Sequence, residues 1–126
     1  MTKQKSTDKY NLEERTAKFG EKIIEFAKKL QNNTINKPLI SQLIRSATSI
    51  GANYCEANGA CSKKDFKNKI YICKKESKET MFWLRIISKS EPTLKKTATK
   101  LWEESKELTM IFSKIVYTIN NPANKN

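Results

Sequence analysis

The segment from Leu39 to Cys61 constrains the fold of this chain more than any other. Its apolar residues recur at steps of three and four, which places them on one stripe of a helix; they are Leu39, Leu43, Ala47, Ile50, Tyr54 and Ala57. A second line of mostly uncharged polar residues runs beside this stripe and comprises Gln42, Arg45, Ser46, Ser49, Asn53 and Glu56. No lysine occurs between Lys37 and Lys63, in a chain with 25 lysines and arginines. The pattern predicts a helix that contacts protein on both faces.

Three other segments show the same helical periodicity. Together the patterns predict helices at about 11–30, 38–58, 63–89 and 93–120. Gly59 is expected to close the second helix in the left-handed conformation, and Ser62 with Asp65 to cap the start of the third. Because the 126 residues include only three glycines and three prolines, long helices are favoured over a sheet.

The predicted fold class is all-α, an antiparallel up-down-up-down four-helix bundle. It forms a single domain over residues 11–121, between flexible tails at 1–10 and 122–126. The most regular apolar seam is in the fourth helix, where we expect the core to contain Leu94, Ala98, Leu101, Ser105, Leu108, Phe112, Ile115 and Ile119. Cys55 and Cys73 are also expected to be buried.

The residues available for chemistry argue against an enzyme. The chain contains no histidine, which excludes Ser-His-Asp and Cys-His nucleophile systems and histidine-containing di-iron or zinc sites. Three scattered glycines cannot form a phosphate-binding loop, and Cys55, Cys61 and Cys73 lack the spacing of a disulfide framework or a thiolate zinc site. We therefore predict no catalytic residue, no cofactor, no metal and no small-molecule substrate.

Glu76 and Glu79 form an ExxE pair on the third helix, and Glu56 on the second helix is a candidate third carboxylate. Carboxylates on neighbouring helices can bind metal ions, but Arg45 is the nearer alternative partner. A buried carboxylate must be paired and hydrogen-bonded. We therefore favour a structural network of Arg45 with Glu76 or Glu79 over a carboxylate metal site.

The net charge of +12 makes nucleic acid a plausible ligand. On the third helix, lysines and one tyrosine recur at helical spacing opposite the apolar stripe, and two further lysines border them; the set is Lys63, Lys64, Lys67, Tyr71, Lys74, Lys75 and Lys78. Such a face attracts phosphates without reading base edges. The alternative is a solvated face, since a lysine-rich coat also keeps a protein soluble.

No segment is typical of an export signal or a membrane span. The first ten residues lack an apolar core, and the apolar run Met81–Ile87 is short and contains Arg85. The expected location is the cytoplasm.

Three strings carry a resemblance to a known family: QLIRSATSIGANYCEA, SKKDF and KKESKETMFWLRII. They resemble the small bacterial four-helix-bundle proteins named for members encoded in intervening sequences of large-subunit ribosomal RNA genes. The same superfamily includes the accessory variability determinants of diversity-generating retroelements. The likeness spans about residues 12 to 90, and the fourth helix matches in pattern rather than in motif.

The resemblance implies an antiparallel bundle that assembles as a homopentameric barrel. For the retroelement branch it also implies binding to a reverse transcriptase and to nucleic acid through a basic surface. It implies no catalytic residue. The positions that match the family pattern are Arg45, Ser46, Asn53, Glu56, Glu76, Glu79 and Trp83, and with Ser49 they are expected to form a structural polar network or a subunit contact.

Two functional hypotheses follow. The first is a non-enzymatic, oligomeric bundle that binds RNA or DNA largely independently of sequence, as an accessory to a reverse transcriptase in the retroelement branch. The second is a protein-binding scaffold of the intervening-sequence family, whose lysines serve solubility and which has no direct role with nucleic acid.

Overall fold

In the computed structural model, which describes residues 11–125, the chain forms four helices joined by short loops. They are α1 (Leu12–Lys28), α2 (Asn36–Asn58), α3 (Lys63–Ser90) and α4 (Lys95–Asn120), with 3-10 turns at Pro92–Leu94 and Pro122–Lys125. Each helix packs against the next, and α4 returns to contact α1. The described residues contain no strand. The predicted all-α four-helix bundle is confirmed.

Side chains from the preceding loops cap three of the helices. The Asn11 side chain accepts a hydrogen bond from the Glu14 amide at 3.2 Å, and Asn33 accepts from the Asn36 amide at 2.7 Å. Ser62 accepts from the Asp65 amide at 3.1 Å, as its position before the third helix predicted. These caps satisfy first-turn amides that have no partner within the helix.

The left-handed conformation expected at Gly59 is wrong. Gly59 has φ −99° and ψ 11°, and no described residue has a positive φ. The helix instead ends by tightening, because the amides of Gly59 and Ala60 donate to carbonyls three residues earlier, at 3.1 Å each. A 3-10-type last turn satisfies terminal carbonyls without a left-handed residue.

The core is built from one stripe of each helix. In α1, Leu12, Phe19, Ile23, Phe26 and Ala27 are buried. In α2, Leu43, Ala47 and Ile50 of the predicted stripe are buried.

In α4, the middle of the predicted seam, from Ala98 to Phe112, is buried. Leu94, Ile115 and Ile119 are only half-buried, and Val116 is buried instead. Leu94 and Ile115 still pack against the core.

Within residues 11–125, Ile115 and Ile119 line an open groove that also contains Leu12, the first residue of α1. A strict alternation of three and four residues therefore does not guarantee full burial.

The cysteines divide into one buried and two exposed thiols. Cys73 is fully buried, and desolvation raises the pKa of its thiol to about 12, so it stays protonated and unreactive. Cys55 is exposed, as is Cys61, so the expected burial of Cys55 is wrong. Cys55 lies at the mouth of the shallow furrow between α1 and α2, beside Ala17 and Ala52.

The predicted flexibility of the two tails stays a prediction. Residues 1–10 lie outside the described part of the chain, and Pro122–Lys125 forms a 3-10 turn. None of the helices between residues 11 and 125 is both long and apolar enough to cross a membrane.

Candidate nucleic-acid interface

Helix α3 carries half of the net positive charge of the chain. Between Lys63 and Ser90 it contains nine basic residues and three acidic ones, a surplus of six out of the net +12. By contrast, α1 has four of each and is neutral. The excess is therefore concentrated on one element rather than spread as an even coat.

The predicted lysines of α3 differ in exposure. Most of them are exposed, whereas Lys67 and Lys74 are half-buried. The Lys67 ammonium lies 5.9 Å from the centre of the Tyr71 ring, within cation–π range. The Tyr71 hydroxyl accepts a hydrogen bond from the Asn120 amide group at 3.2 Å, which ties this ring to the end of α4. The exposed lysines of the predicted set are Lys63, Lys64, Lys75 and Lys78.

These cations lack partner carboxylates. Within residues 11–125, no salt bridge involves any of the seven predicted residues. Lys69, which the sequence pattern left outside the set, does pair: its ammonium lies 2.7 Å from a Glu56 carboxylate oxygen. The hydrogen bond to Glu56 raises the pKa of Lys69. The unpaired lysines thus remain available to an external anion.

The exposed surface continues beyond the predicted set. Phe82 is 52% exposed, and Arg85 and Lys89 are exposed one and two turns further along the helix. Sequence reasoning missed these three residues, although Phe82, Arg85 and Lys89 follow Lys78 at steps of four, seven and eleven. The helical spacing from Lys78 was the available signal. We refer to Lys64, Tyr71, Lys75, Lys78, Phe82, Arg85 and Lys89 as the outer face of α3.

Arg45 on α2 lies between two carboxylates of α3. Its guanidinium donates to both oxygens of Glu76, at 3.2 and 3.3 Å, and also to Glu79. The Trp83 indole N–H donates to Glu79 at 3.0 Å. The hydrogen bonds that Trp83 and Arg45 donate lower the pKa of Glu79. The hydrogen bonds that Arg45 donates to Glu79 and Glu76 raise the pKa of Arg45. We call Arg45, Glu76, Glu79 and Trp83 the arginine cluster.

Two small residues of α2 pack closely against other helices of the same chain. Ser46 is fully buried and accepts a hydrogen bond from the Thr80 hydroxyl of α3 at 2.9 Å. Gly51 faces α1, where an added Cβ would lie 3.2 Å from the Thr16 hydroxyl oxygen. The close approach that these small residues allow is therefore to α3 and α1 of the same chain.

The remaining polar residues of α2 lie nearer the surface. The half-buried Asn53 donates to the Ser49 carbonyl and hydroxyl oxygens, both at 2.9 Å. Glu56 is exposed and pairs with Lys69, away from Arg45. Among the described residues, no three carboxylates or cysteines come together as a metal site.

Comparison with known proteins assigns the chain to a family. The family described as 23S rRNA-intervening sequence protein matches residues 8–114. The chain belongs to this family. A crystal structure of a protein of unknown function from the S23 ribosomal protein family of Bacteroides thetaiotaomicron is similar at 32% sequence identity. The likeness covers 82% of this chain and 96% of that chain, with a TM-score of 0.75.

A search of curated proteins finds no match. The family is the one that the quoted strings of α2 and α3 resembled. Those strings contain the whole arginine cluster and five residues of the outer face of α3, which are Lys64, Lys75, Lys78, Phe82 and Arg85. The match covers the bundle from α1 to most of α4.

Proposed function

We propose that this intervening-sequence protein is a non-enzymatic bundle that binds nucleic acid largely independently of sequence through α3. The observation that carries the proposal is the concentration of six surplus positive charges on one helix, with no carboxylate partner for most of them among residues 11–125. Unpaired lysines bind phosphates as point charges and release condensed counterions, which favours affinity over sequence readout.

The proposal also includes an oligomeric state and a protein partner. The family resemblance supports a homopentamer in the cytoplasm and, in the retroelement branch, a reverse transcriptase partner. The exposed side of α2, which carries Arg45 and Gln42 and has no lysine after Lys37, supports a subunit contact there. Light scattering tests the assembly: a particle near the monomer mass of 14.5 kDa at micromolar concentration contradicts it.

The experiment for binding is a titration of unrelated RNA and DNA oligonucleotides by fluorescence anisotropy. Binding is expected at about 50 mM salt and should weaken linearly on a log–log plot, with a slope near −0.7 to −0.9 per phosphate contacted. No binding at that salt concentration contradicts the proposal.

Charge reversal of Lys64, Lys75 and Lys78 to glutamate tests the assignment to α3. These three are exposed, so their reversal leaves the core unchanged, and it should abolish most of the binding. The matched control reverses Lys22, Lys96 and Lys100, which are exposed on α1 and α4. Equal losses in both triple variants would indicate attraction to the net charge alone rather than to α3.

The second candidate is the protein-binding scaffold. The observation that favours it is the exposure of large apolar side chains, with Met110 at 62% and Phe82 at 52%. In that case the lysine reversals leave partner binding and cellular function unchanged. A partner pull-down with the Lys64, Lys75 and Lys78 variant separates the two candidates.

A further inference from the structure

Two aromatic side chains stay exposed on the most basic helix of the protein. Tyr71 is 41% exposed and Phe82 is 52% exposed, although both are large enough to contribute substantially to a core. They are eleven residues apart, which is three helical turns with an offset of about 20° and a rise of about 16 Å. Both rings therefore lie on one line along the outer face of α3.

Cations alternate with the rings along this line. Lys75 and Lys78 lie between Tyr71 and Phe82, and Arg85 and Lys89 follow Phe82. All four cations are exposed, and within residues 11–125 none of them forms a salt bridge. Rings that stack on bases and cations that follow the phosphates are the combination used to bind single strands.

Both rings are held in place by neighbouring groups. The Phe82 ring meets the Trp83 ring edge to face, with centroids 5.0 Å apart and planes at 73°. Tyr71 is fixed by the hydrogen bond from Asn120 and by the ammonium of Lys67. A ring that is already ordered loses less conformational entropy on stacking.

We propose that the outer face of α3 binds single-stranded RNA or DNA in preference to duplex, with bases stacked on Tyr71 and Phe82. This inference rests on the proposed function of α3. A duplex keeps its bases stacked inside, so the exposed rings would contact only its backbone. A single strand can turn its bases onto the rings while its phosphates reach the adjacent lysines.

A second copy of the chain is the less suitable occupant of this face. Of the twelve carboxylates among residues 11–125, seven already form ion pairs. The five carboxylates of a second copy that are outside its own ion pairs are scattered over α1, α3, α4 and the loop at Glu91, rather than grouped to meet the cations around Phe82. Covering unpaired cations with protein removes their hydration without compensation, whereas a polyanion neutralises them.

The test compares oligouridylate and oligothymidylate of about 20 nucleotides with duplexes of the same length, at fixed salt. We expect wild-type protein to bind the single strands more tightly. Phe82→Leu, which keeps apolar bulk but removes the ring, should weaken single-strand binding about 5-fold or more. It should leave duplex binding and the salt slope unchanged.

Phe82→Tyr keeps the ring and should bind as the wild type does. The matched control is Met110→Leu, a substitution at an exposed apolar residue of α4, and it should have no effect on either substrate. Equal affinity for single strands and duplexes, with no effect of Phe82→Leu, overturns the inference but leaves basic-surface binding intact. Absence of any binding at low salt contradicts the proposed function itself.

The particle mass of the Phe82→Leu variant distinguishes base stacking from a subunit contact at Phe82. If light scattering shows a smaller assembly than for the wild type, Phe82 is a subunit contact and the stacking assignment is wrong. An unchanged mass, together with selective loss of single-strand binding, supports the assignment.

Discussion

On the side of α3 that faces α2, Glu76 and Glu79 both accept hydrogen bonds from Arg45, and the Glu76 side chain is only 8% exposed. On the outer face of the same helix, the lysines and Arg85 stay exposed, and within residues 11–125 they form no ion pairs. The charged groups on the first side are paired with each other inside the chain. The second side leaves its charges exposed to solvent, where we propose that they bind external anions.

Among substitutions on the two sides of α3, Arg45→Ala is expected to cause the largest loss of unfolding free energy. It leaves the Glu76 carboxylate largely buried without its cation. A fully buried pair costs about 3–5 kcal/mol when one partner is lost. Because the Arg45 side chain is 47% exposed and water can enter, we expect a smaller loss of unfolding free energy, about 2 kcal/mol.

Arg85→Ala is the control for this prediction. Arg85 is exposed on the outer face of the same helix, so its removal should change the unfolding free energy by less than about 0.5 kcal/mol while weakening nucleic-acid binding. Urea denaturation of both variants measures the difference. Equal destabilisation by the two substitutions would contradict the division of α3 into two sides.

An intermediate loss of unfolding free energy is expected from Trp83→Phe, which removes the indole N–H that donates to Glu79. The hydrogen bonds from Trp83 and Arg45 place the pKa of Glu79 below its usual value in the folded state, with Lys75 contributing through space. Such a group stabilises the fold above the usual glutamate pKa of about 4.3, and that contribution is lost as pH falls below it.

The destabilisation by Trp83→Phe should therefore be largest at neutral pH, about 1 kcal/mol. It should shrink as Glu79 is protonated in both proteins. Chemical denaturation at neutral pH and at about pH 3 measures this change. A penalty that is the same at both pH values would assign the effect of Trp83 to ring packing rather than to Glu79.

The smallest change in stability is expected from neutralising three lysines of the outer face. Lys64, Lys75 and Lys78 changed together to glutamine should raise stability slightly, by about 0.5 kcal/mol at low salt, because like charges on one helix repel. The gain should vanish at high salt, where such repulsion is screened. Thermal unfolding at two salt concentrations is the measurement, and a loss of stability would show that these lysines make contacts within the chain.

The candidate site could be predicted in part. A periodic line of Lys63, Lys67, Tyr71, Lys74 and Lys78, bordered by Lys64 and Lys75, predicted the basic face of α3, and the four periodic segments predicted the bundle. All of these residues except Lys67 and Lys74 are exposed. The same periodicity could not show that Lys67 and Lys74 would be half-buried, because exposure depends on how the neighbouring helices pack beside α3. Phe82 also escaped prediction, since an apolar residue among apolar neighbours in sequence is expected to be buried.

What the sequence determined by itself is local: the helical segments, the caps at Asn11 and Ser62, and the line of positive charge on α3. These follow from the helical period and from hydrogen bonds between residues close in the chain. Only the tertiary structure decided that Arg45 bridges Glu76 and Glu79, that Ser46 meets Thr80, and that Ile115 and Ile119 line an open groove. Contacts between helices depend on their rotation, register and relative length, which no single segment encodes.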